Sequence, residues 1–168
     1  MSQNKSLETF PWHSFQSSAP DCEGFEFVSD RAILDFFMKA RIRQLKEFYD
    51  FDLSTDAYRR NFGWTVGKHE ISYLRPVLPN ETFTIRSRLL VVDSTTMLLE
   101  SLLLDEKQNM LLALLWTHYH PIHLPTKGIA EHSETVRHYF AQRVVDVPRA
   151  ERTSFDQRVE KLKDRSSF

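Results

Sequence analysis

The chain has 168 residues, 41% of them hydrophobic, with 22 Lys and Arg against 23 Asp and Glu and a net charge of −1. This length suits one domain with flexible ends, and the apolar share supplies a core, which excludes wholesale disorder. The balanced charge argues against a broad basic surface, so no nucleic-acid partner is expected.

The single cysteine, Cys22, rules out an internal disulfide and fits a reducing compartment. The first residues, MSQNKSLETF, contain no apolar stretch of signal-peptide type, and the longest purely apolar run, Met110–Trp116, is too short to span a bilayer. The expectation is a soluble, cytoplasmic protein with no membrane partner.

In chain order, residues 1–20 are polar with scattered Phe10, Trp12 and Phe15 and read as an irregular arm whose aromatics pack on the domain. Gly24–Val28 alternates as a short first strand would. Ser29 or Asp30 can cap the helix that follows, because a short side-chain oxygen satisfies a free amide there. That helix, Asp30–Phe51, is apolar on almost every side in its first half, and a helix of that kind must be buried. Arg41, Arg43, Lys46 and Glu47 gather in its second half, which is expected to emerge into water.

Ser54–Asn61 reads as a short capped helix closed by Gly63. The period then becomes strand-like over Val66–Leu74, Thr82–Val92, Thr96–Leu104 and Met110–His120. In Thr82–Val92, Phe83, Ile85, Ser87, Leu89 and Val91 face one way, and Thr84, Arg86 and Arg88 the other. The last two strands are nearly continuously apolar and need cover on both faces. The helix covers one face, and a second subunit or the terminal arms the other. Pro121 and Pro125 are expected to end the sheet. Glu131–Gln142 reads as a further helix. In the charged segment 143–168, Phe155, Val159 and Leu162 are spaced for a small amphipathic helix that docks on a neighbour. The fold class is α+β, a long central helix wrapped by an antiparallel sheet of about five strands.

The stretches LDFFMKARIRQL (Leu34–Leu45) and HEISYLRPVLPNETFTIRSRL (His69–Leu89) carry a resemblance. The first resembles a helix signature of aromatics followed by Glu-Ala-Arg; the second resembles a strand, Arg-Pro, turn and next strand. Both are signatures of the 4-hydroxybenzoyl-CoA thioesterase-like branch of hotdog proteins, and the likeness covers residues 21–142. It implies a hotdog fold, an acyl-CoA or acyl-carrier substrate, no cofactor and no metal, and a homodimer or homotetramer. It also implies a catalytic carboxylate in an Asp-x-x-Gly-His entry before the helix. Here Asp21-Cys22-Glu23-Gly24 keeps Asp-x-x-Gly, Phe25 replaces the histidine, and Lys39 replaces a usual helix glutamate. The interval to the helix is longer by about two residues, so Glu23 takes the carboxylate position under a shifted alignment.

Thioester hydrolysis needs a carboxylate to attack the carbonyl or activate water, and donors for the oxyanion. Asp21, with the amides around Ser29, Asp30 and Arg31 at the helix N-terminus, can supply both. Asp35 is the second candidate carboxylate, although Lys39 four residues on makes an ordinary helical ion pair with it. His120 is a candidate for the pantetheine or nucleotide end of a CoA. Lys68, Arg75, Arg86, Arg88 and Lys127 are candidates for its phosphates, since Arg offers planar bidentate donors, although for each residue singly a solvent-facing charge is the favoured reading. His118, His120 and His123 have metal-like spacing but no carboxylate or thiol beside them, so no metal is assigned. Cys22, flanked by two acids, reads as a structural thiol. Trp64, Tyr73 and Trp116 read as core. The leading reading is a hotdog acyl-CoA thioesterase; the alternative is a non-catalytic acyl-thioester-binding or scaffold protein.

Overall fold

The computed structural model describes residues 10–49, 61–147 and 154–163. All of the expected helix at 54–61 except Asn61 lies outside these residues. In chain order the elements are β1 (Trp12–Gln16), a 3-10 turn (Ala19–Cys22), α1 (Asp30–Tyr49), β2 (Phe62–Tyr73), β3 (Thr82–Val92), β4 (Met97–Asp105), β5 (Leu111–His123), β6 (Gly128–Ile129), α2 (Glu134–Ala141) and α3 (Phe155–Lys163). The strands form one antiparallel sheet in the order β1-β3-β4-β5-β2, with β6 added to β5. This is the expected arrangement of a long helix on an antiparallel sheet.

Helix α1 lies on the inner face of the sheet. Ile33, Phe36, Phe37 and Ala40 recur at helical spacing and pack with Phe83 and Ile85 of β3, Leu103 of β4 and Ala113 and Leu115 of β5. Burying such side chains contributes about 1.5–3 kcal/mol each. The helix is not enclosed on every side. Leu34 and Met38 are half-buried and Ile42 is exposed, a strip at four-residue spacing on the side away from the sheet.

The first expected strand is replaced by a different one. Gly24–Phe27 is turn and bend, because Glu23 and Gly24 take positive φ (49° and 90°) and the Phe25 amide closes a turn on the Cys22 carbonyl at 2.8 Å. The arm instead supplies the edge strand β1, in register with β3 from Trp12 opposite Arg86 to Gln16 opposite Thr82. Phe15 anchors it against the rings of Phe36 and Phe83, at 5.6 and 6.1 Å. Pro121 does not end β5, which runs on to His123. The last residue of β5 paired with β4 is Tyr119, opposite Met97, and β6 pairs with β5 only from Ile122, so Pro121 falls in the gap between two partners, where no donor is needed.

The outer face of β4 and β5 is covered by the chain itself. Val159 and Leu162 of α3 pack with Leu102, Leu104, Leu111 and Leu114, and Phe155 meets Trp116 edge-on at 5.5 Å. The C-terminal helix thus docks on its own sheet and not on a neighbour. Glu100 lies beneath it with no exposed surface. Its carboxylate accepts from Arg158 Nε at 2.8 Å and Nη2 at 3.0 Å, from Arg88 Nε at 2.6 Å, and from Trp116 Nε1 at 2.9 Å. Phe10 stacks over the guanidinium groups of Arg86 and Arg88, at 4.1 and 4.7 Å. Arg88 is thereby committed to Glu100 and does not face solvent.

Burial alone would push the Glu100 carboxyl up, but the hydrogen bonds and charges of Arg158 and Arg88 outweigh it and hold the group below the usual carboxylate range. A depressed carboxyl stabilises the fold above its unfolded value, about pH 4.3, and that contribution is lost as pH falls through the lower folded value. Glu100→Gln leaves two buried guanidinium groups without a counter-charge and is expected to cost about 3–5 kcal/mol at neutral pH. Urea denaturation at pH 7 and pH 3 checks this. The deficit relative to the parent protein should be large at pH 7 and smaller at pH 3.

Candidate active site

The start of α1 is built by short polar residues that satisfy one another. Ser29 Oγ accepts the Ala32 amide at 3.2 Å and so caps the helix, and Asp30 Oδ1 accepts the Arg31 amide at 3.0 Å. The Ser29 amide donates to the Asp21 main-chain carbonyl at 3.0 Å, which ties the 3-10 turn to the helix. Of the four amides from Ser29 to Ala32, that of Asp30 has no partner among the described residues. It is therefore the one helix-start amide available to an incoming anion.

Asp21 Oδ2 accepts from both the amide and the hydroxyl of Ser18, each at 2.7 Å. Oδ1 has no partner among the described residues. Asp35 pairs with Lys39 at 2.6 Å, with both side chains more than half exposed, and a pair so exposed contributes little to stability. Arg31 reaches Glu23 at 3.5 Å, also in the open.

Two depressions flank this turn of helix. One, of 500 Å³, brings together Asp21, Glu23, Arg31 and Asp35 with Ala32, Leu34 and Met38. The other, of 360 Å³, holds Asp30, Tyr73 and Arg75 among Phe27, Ile33, Val77 and Ala113. Burial, and then the charge of Asp30, pushes the Tyr73 phenol up. Tyr73 and the mutually stacked Phe25 and Phe27 remain about half or more exposed, as does Leu78.

Thus the two candidate carboxylates share one depression with Arg31, while Asp30 and Arg75 line the other and Ser29 caps between them. His120 and Lys127 are not brought to either. His120 lies opposite Thr65 of β2, and Arg75 follows Thr65 by ten residues, beyond the end of that strand, at most about 33 Å of extended chain. His120 Nδ1 pairs with the Thr95 carbonyl at 2.9 Å, and its ring leaves no room for a Cβ at Gly67, which would fall 2.4 Å from Cδ2. Lys127 occupies the turn before β6 with φ 54°. The metal-like histidines separate as well: His118 pairs with Glu70 at 3.0 Å and His123 with Thr126 at 2.9 Å. Glu70 in turn has its pKa lowered: burial raises it, but the bonds from Lys68 and His118 prevail.

A third space was not legible from the candidates. Between the second half of α1 and the inner face of the sheet lies a cavity of 130 Å³, walled by Leu45, Tyr49, Trp64, Leu89, Tyr119 and Phe140, with Arg41 and Gln44 also lining it. Gln44 is 2% exposed and donates to the Pro11 and Ile85 carbonyls. Arg41 turns inward, and its Nη1 donates to Tyr119 Oη at 2.5 Å. Arg41 thus departs from the expectation that the second half of the helix emerges into water, whereas Arg43, Lys46 and Glu47 are exposed as expected. The available signal was spacing: Phe37, Arg41, Gln44 and Phe48 fall on one helical stripe.

A long helix on a six-stranded antiparallel sheet, with polar chemistry gathered at the helix start, defines the hotdog class of thioester-processing proteins. A family model described as the thioesterase-like superfamily matches residues 20–159. The chain belongs to that superfamily, and its enzyme class is thioester hydrolase. The fold is similar to that of YbaW, a probable thioesterase from Escherichia coli, at 19% identity and TM-score 0.70 over 80% of this chain and 98% of that one. A hypothetical Staphylococcus aureus protein in complex with CoA superposes at 13% identity and TM-score 0.74, covering 91% of this chain and 98% of that one. A 1,4-dihydroxy-2-naphthoyl-CoA thioesterase from Synechocystis does so at 15% identity and TM-score 0.69, covering 82% and 97%. No curated protein matches the chain. Among the described residues, no helix is long and apolar enough to cross a membrane.

The helix-start geometry depends on its cap. Ser29→Ala should destabilise the protein by about 1 kcal/mol. Thermal unfolding checks the loss, and hydrogen exchange should show earlier opening of the first turn of α1 than of its centre.

Proposed function

We propose that the protein hydrolyses an acyl-CoA thioester at the start of α1, with Asp21 as the carboxylate that activates water or attacks the carbonyl. The observation that carries this reading is the joint placement of Asp21 and the helix start. The Ser29 amide, bonded to the Asp21 main-chain carbonyl, ties that residue's backbone to the first turn, Ser18 holds one carboxylate oxygen, and the Asp30 amide is left to meet an oxyanion. Arg31, in the same depression, adds a positive charge toward the developing anion. Asp35 is the second candidate, and its exposed pair with Lys39 favours a supporting role. Arg75, beside Asp30 and Tyr73, suits a CoA phosphate, for which a planar guanidinium offers two parallel donors.

The working unit in this reading is a homo-oligomer. The two-sided burial that β4 and β5 require is met within one chain by α1 and α3, not by a second subunit. Other features support assembly: among the described residues the 12-residue β2 is the last strand on its side of the sheet, and Tyr73, Phe25, Phe27 and Leu78 are exposed near it. His120 and Lys127 then reach an acyl-CoA at the helix start only from a second copy. Light scattering at micromolar concentration should give at least a dimer, and a monomer alone would remove His120 and Lys127 from the site.

A second reading, a non-catalytic acyl-thioester-binding protein, is favoured by one observation. Phe25 stands where the entry motif of the family has histidine, and it is 65% exposed and stacked on Phe27. Thiol release from a panel of acyl-CoAs separates the two readings. Asp21→Asn should lower turnover about a hundredfold or more while leaving folding intact, and Asp35→Asn should cost less. The reverse order would move the carboxylate role to the helix. Acyl-CoA binding with no hydrolysis by the parent protein would select the second reading.

A further inference from the structure

The cavity beneath the second half of α1 is separate from the proposed chemistry. Asp30 and Arg41 are 11 residues apart on one helix, about 16 Å along its axis. Its 130 Å³ is close to an engineered cavity of about 150 Å³ that holds benzene. Four of its walls are aromatic: Tyr49, Trp64, Tyr119 and Phe140. Such a space takes an apolar body of about one ring.

The exception in this lining is Arg41. Its Nη1 is bonded to Tyr119 Oη and its guanidinium lies over the Tyr119 ring at 5.2 Å. Nε is buried without a hydrogen-bond partner, and no carboxylate pairs with Arg41 among the described residues. The other inward-turned guanidinium groups, Arg88 and Arg158, share Glu100. The charge on Arg41 remains felt nearby: burial, and then that charge, pushes His69 below the ordinary histidine range. A positive group on an apolar wall is costly unless an anion meets it, and a carboxylate meets a guanidinium best. The Tyr119 hydroxyl accepts from Arg41 and keeps its own proton to donate to the same anion.

We infer that this cavity is a binding site for a small organic carboxylate, with the apolar body held between α1 and the sheet and the carboxylate on Arg41 and Tyr119. The site does not use Asp21 or the helix start, so it stands whether or not hydrolysis occurs there.

Fluorine NMR titration of the full chain with 4-fluorobenzoate, and with 4-fluorobenzyl alcohol as a neutral counterpart of similar size, tests the inference. The benzoate should bind about tenfold or more tightly than the alcohol, as a charge-assisted hydrogen bond implies. Arg41→Met should abolish that preference and leave the alcohol within about twofold. If Arg41→Met does not fold, Tyr119→Phe, which keeps the ring, should weaken the benzoate selectively. Leu45→Trp, which fills the cavity, should weaken both probes. Equal affinity for the two probes, no benzoate binding, a preference retained in Arg41→Met or in Tyr119→Phe, or full binding by Leu45→Trp would each overturn the inference.

Discussion

Strands β4 and β5 carry large apolar side chains on both faces, and neither face can be left to water. Leu103, Ala113 and Leu115 point toward α1, while Leu102, Leu104 and Leu114 point the other way. A sheet in this condition needs two covers. The first is the helix around which the sheet is built. The second is α3, which carries few apolar residues of its own and is fastened by a buried ion cluster as well as by Val159 and Leu162. Glu100 is the centre of that fastening. It joins β3 through Arg88, β5 through Trp116 and the C-terminal helix through Arg158.

This double cover has a functional consequence. The outer face is closed within one chain, which leaves the inner side and β2, the last strand on its side of the sheet among the described residues, for the proposed chemistry. The start of α1 lies there, with one depression on each flank. The first turn is nearly saturated by its own neighbours: Ser29 caps Ala32, Asp30 takes Arg31, and Asp21 takes Ser29. This saturation holds the Asp21 backbone and the remaining amide in a fixed relation, and Ser18 orients the carboxylate, as the proposed anion-stabilising site requires. In the proposed reaction it also restricts the oxyanion donors from this turn to the Asp30 amide and whatever Arg31 adds.

The other end of α1 follows a different logic. There Gln44 and Arg41 turn under the helix, and their polar atoms are held by backbone carbonyls and by Tyr119. Polar groups in that position stay only if they are satisfied or serve a ligand. Gln44 is satisfied. Arg41 is satisfied in part, and so the cavity beside it has chemical character as well as shape.

Much of the architecture was legible in the sequence, because hydrophobic period is a local property. The alternation of Phe83, Ile85 and Ser87 against Thr84 and Arg86 marks β3 to the residue at both ends. The spacing of Ile33, Phe37 and Ala40 marks the buried stripe in the first half of α1. The Asp-x-x-Gly stretch and a capping serine placed a carboxylate beside the helix start for the same reason: both are encoded within about ten residues. Gly24–Val28 was misread because alternation alone does not report backbone sign, and positive φ at Glu23 and Gly24 turns the chain. What only the tertiary structure decided was every partnership between distant segments. Glu100 meets Arg158 across 58 residues, and Arg41 meets Tyr119 across 78. No period in the sequence records such pairs. They exist because the sheet curls around α1 and α3 closes over its back, and burial then forces each charge to find an opposite or a dipole.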